Sequence, residues 1–415
     1  MSNKAEKHGL VSKLRFPEFR EAEKWHSCPL GEITKFSSGG TPSKDVAEYW
    51  GGSIPWISAS SMYETNINKS ELNVTALAIG NGTRIAPKGS LLILVRGSML
   101  FNRVPMGIAT IDVAFNQDVK ALEIGDGISG TFLLHQLISF GSRVPINETG
   151  IGAGKIETDD LKRLIVFLPS IQEQQKIADC LASLDDLITL EAQKLDTLKT
   201  HKKGLMQKLF PAEGETLPRL RFPGFREAGK WEEKRLSEVG SVRMCKRIFK
   251  GQTNPRGDIP FYKIGTFGGV PDAYISQEIF ESYRNNFPFP KNGAVLISAA
   301  GTIGRTVRYK GELAYFQDSN IVWLDNNEKL IADGFLFYLY QLINWAPSVG
   351  AIQRLYSDNI LGAQVIFPSI PEQQEIADCL AYLDELITAQ TQKLAALKTH
   401  KKGLMQQLFP VLGDE

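Results

Sequence analysis

At 415 residues the chain has room for two or three domains, and a formal net charge of +1 gives it no bulk attraction to polyanions. Hydrophobic residues at 43% and charged residues at 22% exclude a disordered chain. Four isolated cysteines (Cys28, Cys180, Cys245, Cys379) read as buried small hydrophobes in a reducing compartment, not as disulfide or metal ligands. The opening "MSNKAEKHGL" lacks the apolar region of a leader, and no apolar run nears the ~20 residues of a membrane span. A cytoplasmic chain without a membrane partner is expected.

"LRFPEFREAEKW" (14–25) leads into a first globular stretch. "SSGGTPSK" (37–44) is a loop of small polar residues able to bring backbone N–H groups close to phosphate, with Gly40, Thr41 and Ser43 as candidates. An ordinary turn is the competing reading. "GGSIPWIS" (51–58) adds Trp56. The apolar run "LLILV" (91–95) predicts a buried strand. "LVRGSMLFNRV" (94–104) carries it through Arg96 and a glycine turn to Arg103. "FNQD" (115–118) places Gln117 on another loop, and "GTFLLHQLIS" (130–139) predicts a helix. Lys155 falls in a short glycine-containing loop before the final strand of this stretch.

Residues 169–211 then predict a long helix. Ile177, Leu181, Leu184, Ile188, Leu195, Leu198, Leu205 and Leu209 fall at alternating steps of four and three, with Glu191 and Lys202 at the two missing rungs. About 38 residues at 1.5 Å each span ~57 Å. Such a helix is not stable alone with its apolar stripe in water. "KTHKK" near its end reads as capping of terminal carbonyls by lysines, with a phosphate contact as the rival reading.

The chain then repeats itself. "LRFPGFREAGKW" (220–231) restates 14–25, and 368–410 match 169–211 without a gap at about three quarters of positions. The second seam runs through Ile376, Leu380, Leu383, Ile387, Leu394, Leu397, Leu404 and Leu408. Between the copies lies a second, divergent stretch. Its "MCKRIFKGQTNPRGD" (244–258) gathers Lys246, Arg247, Lys250 and Arg256, and "RGDIPFYK" (256–263) ends on Lys263. Lys and Arg attract phosphate, while Arg, Asn and Gln suit base edges; a solvated charged loop is the alternative. "AVLIS" (294–298) and "NIVWL" (320–324) predict strands, and "DGFLFYLYQLI" (333–343) a helix equivalent to 130–139. "ISAAGTIGRTV" (297–307) matches 94–104, placing Thr302 and Arg305, and "FQDSN" (316–320) places Gln317. Arg354 coincides with Lys155 when counted back from the two "PS" dipeptides.

The order is therefore constant–variable–constant, twice over. The expected fold is α/β (α+β): recognition domains at 1–168 and 212–367, spacer helices at 169–211 and 368–410, and a tail at 411–415. Each spacer helix is expected to pair with its own near-copy, and connectivity makes the pair antiparallel, with an approximate two-fold axis. No catalytic motif is legible: there is no GxxxxGK[ST] loop, no HExxH, and "TNPRGD" (253–258) departs from an Asn-Pro-Pro-aromatic signature. Five scattered histidines offer no metal cluster.

Over essentially its whole length the chain resembles the specificity subunit of type I restriction-modification systems. The residues that carry the resemblance are "PSIQEQQKIADCL…HKKGLMQKLFP" with its second copy, the doubled "LRFP.FREA.KW", and "GGTPS…YWGGSIPWI" (39–57). The resemblance implies that each variable stretch binds one half of a split double-stranded DNA target and that the helices act as a ruler. It implies no catalysis and no cofactor in this chain. S-adenosylmethionine would be held by two methyltransferase subunits, and ATP with magnesium by restriction subunits, all docked on the repeated surface. A free-standing regulator that binds bipartite DNA is the alternative.

Overall fold

The computed structural model describes residues 12–149, 152–345 and 353–410. The chain divides into two compact units, Met1–Gln193 with Gln392–Glu415, and Lys194–Thr391. Each unit contains one variable stretch, the start of one long helix and the end of the other.

Six strands set the frame of unit 1: β1 (Thr34–Ser38), β2 (Trp50–Ile57), β3 (Leu91–Leu94), β4 (Met106–Ala109), β5 (Val113–Phe115) and β6 (Val119–Ile124). Neighbours β1, β6, β3 and β4 pair antiparallel in that order. In a second sheet β2 runs parallel to β5. All four residues of β3 are buried, as a central strand covered on both faces requires. Helix α1 (Gly130–Phe140) starts where the Ser129 hydroxyl accepts from the Phe132 N–H, an ordinary N-cap.

Unit 2 repeats this plan with β7 (Gly240–Met244), β8 (Ile259–Tyr262), β9 (Val295–Ser298), β10 (Thr306–Arg308), β11 (Tyr315–Phe316) and β12 (Ile321–Asn326). Strands β7, β12, β9 and β10 pair antiparallel in the same order, and β8 runs parallel to β11. Two stretches with little sequence in common thus share one frame. The helix expected over 333–343 is shorter, Asp333–Leu339. Beyond it Gln341 and Leu342 donate to carbonyls three residues back, which tightens the chain into turns.

The long helices are Ile171–Leu209 and Ile370–Leu408, 39 residues each. None of the sixteen seam residues from Ile177 to Leu408 is exposed. Within unit 1, Asp185 pairs with Lys401 and Glu191 with Lys393, so rising numbers meet falling ones and the segments are antiparallel. Within unit 2, Lys202 pairs with Asp384, while Met206 and Leu209 share a core with Ile376 and Leu380, giving the same sense. Lys202 and Lys401 therefore bridge helices. The capping expected of them fails because each helix continues for another seven residues.

The repeated words are largely joints. In unit 1 the Arg15 guanidinium donates to both carboxylate oxygens of Glu173 (2.8 and 2.7 Å) and to the carbonyls of Ala22 and Glu23. Arg221 grips Glu372 and the corresponding carbonyls of Ala228 and Gly229 in unit 2. All four side chains are under 10% exposed. A buried, two-pronged pair of this kind is specific in geometry, and losing one partner strands a charge. Beside it Gln174 accepts from the Ser129 N–H and donates to the Pro169 carbonyl, and Gln373 does the same with Ala332 and Pro368. Aromatic triads complete both joints: Trp25, Phe132 and Phe409 in unit 1, and Trp231, Phe335 and Phe210 in unit 2.

Candidate nucleic-acid interface

The loop after β1 lies flat on the end of β5. The Gly40 N–H donates to the Phe115 carbonyl (2.9 Å). A Cβ on Gly39 would sit 2.0 Å from the Phe115 oxygen, and one on Gly40 2.2 Å from the Gly82 oxygen, so only glycine permits this approach. Trp56 is 8% exposed, and its indole N–H donates to the Gly40 carbonyl at 3.0 Å. It supports the loop from beneath and offers no free ring face. The Ser43 carbonyl accepts from the Trp50 indole (3.1 Å), and the Thr41 hydroxyl donates to Gln117 Oε1 (2.8 Å).

Positive charge gathers beside this loop. Arg96 and Lys155 are direct cross-strand partners. Lys120 on β6 donates to the Ser38 hydroxyl. Burial, with Lys155 nearby, lowers the Lys120 ammonium below its ordinary range. Among the described contacts the one carboxylate facing this group is Glu157, 2.6 Å from Lys155. Lys120 was not legible as a candidate, because in the sequence it sits in ordinary strand alternation like any outward-facing lysine. Its neighbours come from strands far away in sequence.

In unit 2 Lys246 lies over the Phe287 ring (4.8 Å), Lys263 pairs with Asp272 (2.8 Å), and Arg247 stands 3.6 Å from Asp318. Arg256 is exposed, as is Thr302, whose carbonyl accepts from Ser298. Gln317 is committed: its Oε1 accepts from the Ile264 N–H at 2.8 Å. A cleft of about 500 Å³ opens between the 247–255 loop and Gln317–Asp318.

Several paired expectations meet geometrically. Arg103 donates to the Met62 carbonyl (3.1 Å), and Arg305 donates to the Phe267 carbonyl (2.8 Å). Both arginines tie the glycine turn to the loop that follows the parallel strand, leaving the rest of each guanidinium outward. Lys155 and Arg354 are equivalent as counted: the next residue in each case donates to the strand end, Ile156 to Val95 and Leu355 to Ala299. Arg354 itself donates to the Ser319 carbonyl and lies over Tyr356. The strand pairings of Phe115 with Ile57 and of Phe316 with Tyr262 make Asn116 the equivalent of Gln317, and Gln117 the equivalent of Asp318.

Among the described residues no group of three or more His, Cys, Asp and Glu side chains is placed to hold a metal ion, and no helix is long and apolar enough to cross a membrane.

Comparison with known proteins agrees with this geometry. The family model described as type I restriction modification DNA specificity domain matches residues 22–200 and again 228–399. The chain is 39% identical over 280 residues to a putative type I restriction enzyme specificity subunit, S.HindORF215P, of Haemophilus influenzae, covering 67% of this chain and 70% of that one. It is 29% identical over 441 aligned positions to the type I restriction enzyme MjaIX specificity subunit of Methanocaldococcus jannaschii, covering 94% and 95%. In fold it is similar to the crystal structure of the type I restriction-modification S subunit from M. genitalium, with a TM-score of 0.62 at 16% identity over 97% of this chain and 100% of that one.

Proposed function

The chain belongs to the type I restriction-modification DNA specificity family, and on that premise we propose that it is the non-catalytic subunit that selects the DNA target. Each variable stretch binds one half of a bipartite duplex sequence. The long helices fix the gap between the halves and dock two methyltransferase subunits and the restriction subunits. S-adenosylmethionine belongs to the former partners and ATP with magnesium to the latter, in the cytoplasm. The observation that carries the reading is one frame built twice, with invariant buried joints and unlike loops at corresponding tips. Shared joints suit shared partners, and unlike tips suit unlike half-sites.

Contacts divide into two kinds. Arg96, Lys120, Lys155 and Arg354 lie where cations meet a backbone, and the tips carrying Thr41, Arg247 and Arg256 lie where side chains meet base edges. The experiment is salt-dependent binding to a bipartite duplex, combined with co-purification of a methyltransferase subunit. Affinity that falls with log[salt] by ~0.9 per phosphate contact, together with co-purification, supports the reading. Tight bipartite binding without any methyltransferase partner favours a free-standing regulator instead.

A further inference from the structure

Because the two units share a frame, positions in one can be matched to positions in the other by hydrogen bonds alone. Phe115 pairs with Ile57 and Phe316 with Tyr262 across the parallel strands. The following N–H donates back to that partner's carbonyl, Asn116 to Ile57 (3.0 Å) and Gln317 to Tyr262 (2.9 Å). One residue further stand Gln117 in unit 1 and Asp318 in unit 2. Each meets a side chain from the loop after the edge strand: Thr41 at 2.8 Å and Arg247 at 3.6 Å. The same two scaffold positions hold a hydroxyl with an amide in one unit, and a guanidinium with a carboxylate in the other.

We propose that this pair of positions reads one base pair in each half of the DNA target, A·T through Thr41 with Gln117 and G·C through Arg247 with Asp318. The inference rests on the DNA-recognition reading above. A glutamine amide matches adenine N6 and N7, and the threonine methyl suits the thymine methyl. An arginine matches guanine O6 and N7, while a carboxylate accepts from cytosine N4. A carboxylate repels phosphate, so Asp318 beside Lys250 and Lys263 in the 500 Å³ cleft suits a base edge and not the backbone. Asp318 is also held in place. The next residue, Ser319, takes a left-handed φ of 54°, unusual for a side chain with a Cβ, and Arg354 fixes its carbonyl. Arg247 is 68% exposed and stands beyond hydrogen-bond distance, so it can turn to a guanine without leaving a committed partner.

The test is selection of duplexes from a random library by the intact chain assembled with its methyltransferase, for wild type, Asp318→Asn and Gln117→Glu. Asp318→Asn is expected to reduce the G·C preference at one position of one half-site by about tenfold or more, leaving the other half-site unchanged. Gln117→Glu is expected to alter an A·T position in the opposite half-site. The untouched half-site reports that each variant is folded. Unchanged letters at every position, or changes spread over both halves, overturn the assignment. A wild-type complex that selects no bipartite sequence overturns the DNA-recognition reading itself.

Discussion

The joints and the tips of this molecule follow opposite rules. At the joints, Arg15–Glu173 and Arg221–Glu372 repeat the same two-pronged pairing, with corresponding backbone carbonyls completing each guanidinium. At the tips, Thr41–Gln117 and Arg247–Asp318 occupy one scaffold position with different chemistry. Burial explains the contrast. A buried ion pair tolerates no change on one side alone, whereas a side chain on a solvent-facing loop exchanges water for any partner at small cost to folding. A fold of this kind can change what it reads without changing how it is held.

The largest way to break the comparison is at the joints. Glu173→Ala leaves a buried arginine unpaired and is expected to destabilise unit 1 by ~3–5 kcal/mol, and Glu372→Ala to do the same in unit 2. Thermal melts of the two variants should shift alike; a clear inequality would mean the joints are not equivalent. Next come the helix bridges, which sharpen the comparison because their third members differ. Lys401–Asp185 is joined by His135, and Lys202–Asp384 by the Tyr338 hydroxyl (2.8 Å). Lys401→Ala and Lys202→Ala are each expected to cost ~1–3 kcal/mol in chemical denaturation, as hydrogen bonds to charged groups do.

At the tips stability should barely move. Lys155→Ala and Arg354→Ala are expected to weaken binding evenly across DNA sequences and to reduce the salt slope by ~1 each, with melting temperature nearly constant. A specificity change from Lys155→Ala would move that residue from the backbone to the bases. The smallest effect is in acid. Burial pushes the Asp185 carboxyl up, but hydrogen bonds from His135 and Lys401 together outweigh it and hold the group below its ordinary value. Stability from that depression is present above the unfolded pKa of ~3.9 and is lost as pH falls through the lower folded value. Asp185→Asn should therefore flatten the melting temperature between pH 5 and 3, relative to the parent.

What could be read from the sequence followed from local periodicity. The seams from Ile177 and Ile376 keep their spacing over the whole helix, and every member is shielded as a heptad stripe must be. "LLILV" and "AVLIS" are apolar on both faces and became central strands. The joints were hidden, because Glu173 and Gln174 look like a solvated first turn until an arginine 158 residues away is brought to them. Trp56 misled for the related reason that an aromatic beside a glycine loop gives no sign of whether it lies over or under it. The glycines at 39 and 40 place it under.

The central proposal is that the paired helices set the gap while the two unlike tips set the half-sites. Target selection by a complex whose chain lacks one heptad from the middle of both helices tests it. Two unchanged half-sites with an altered gap are the predicted result. An unaltered gap, or new letters in either half-site, would contradict the account.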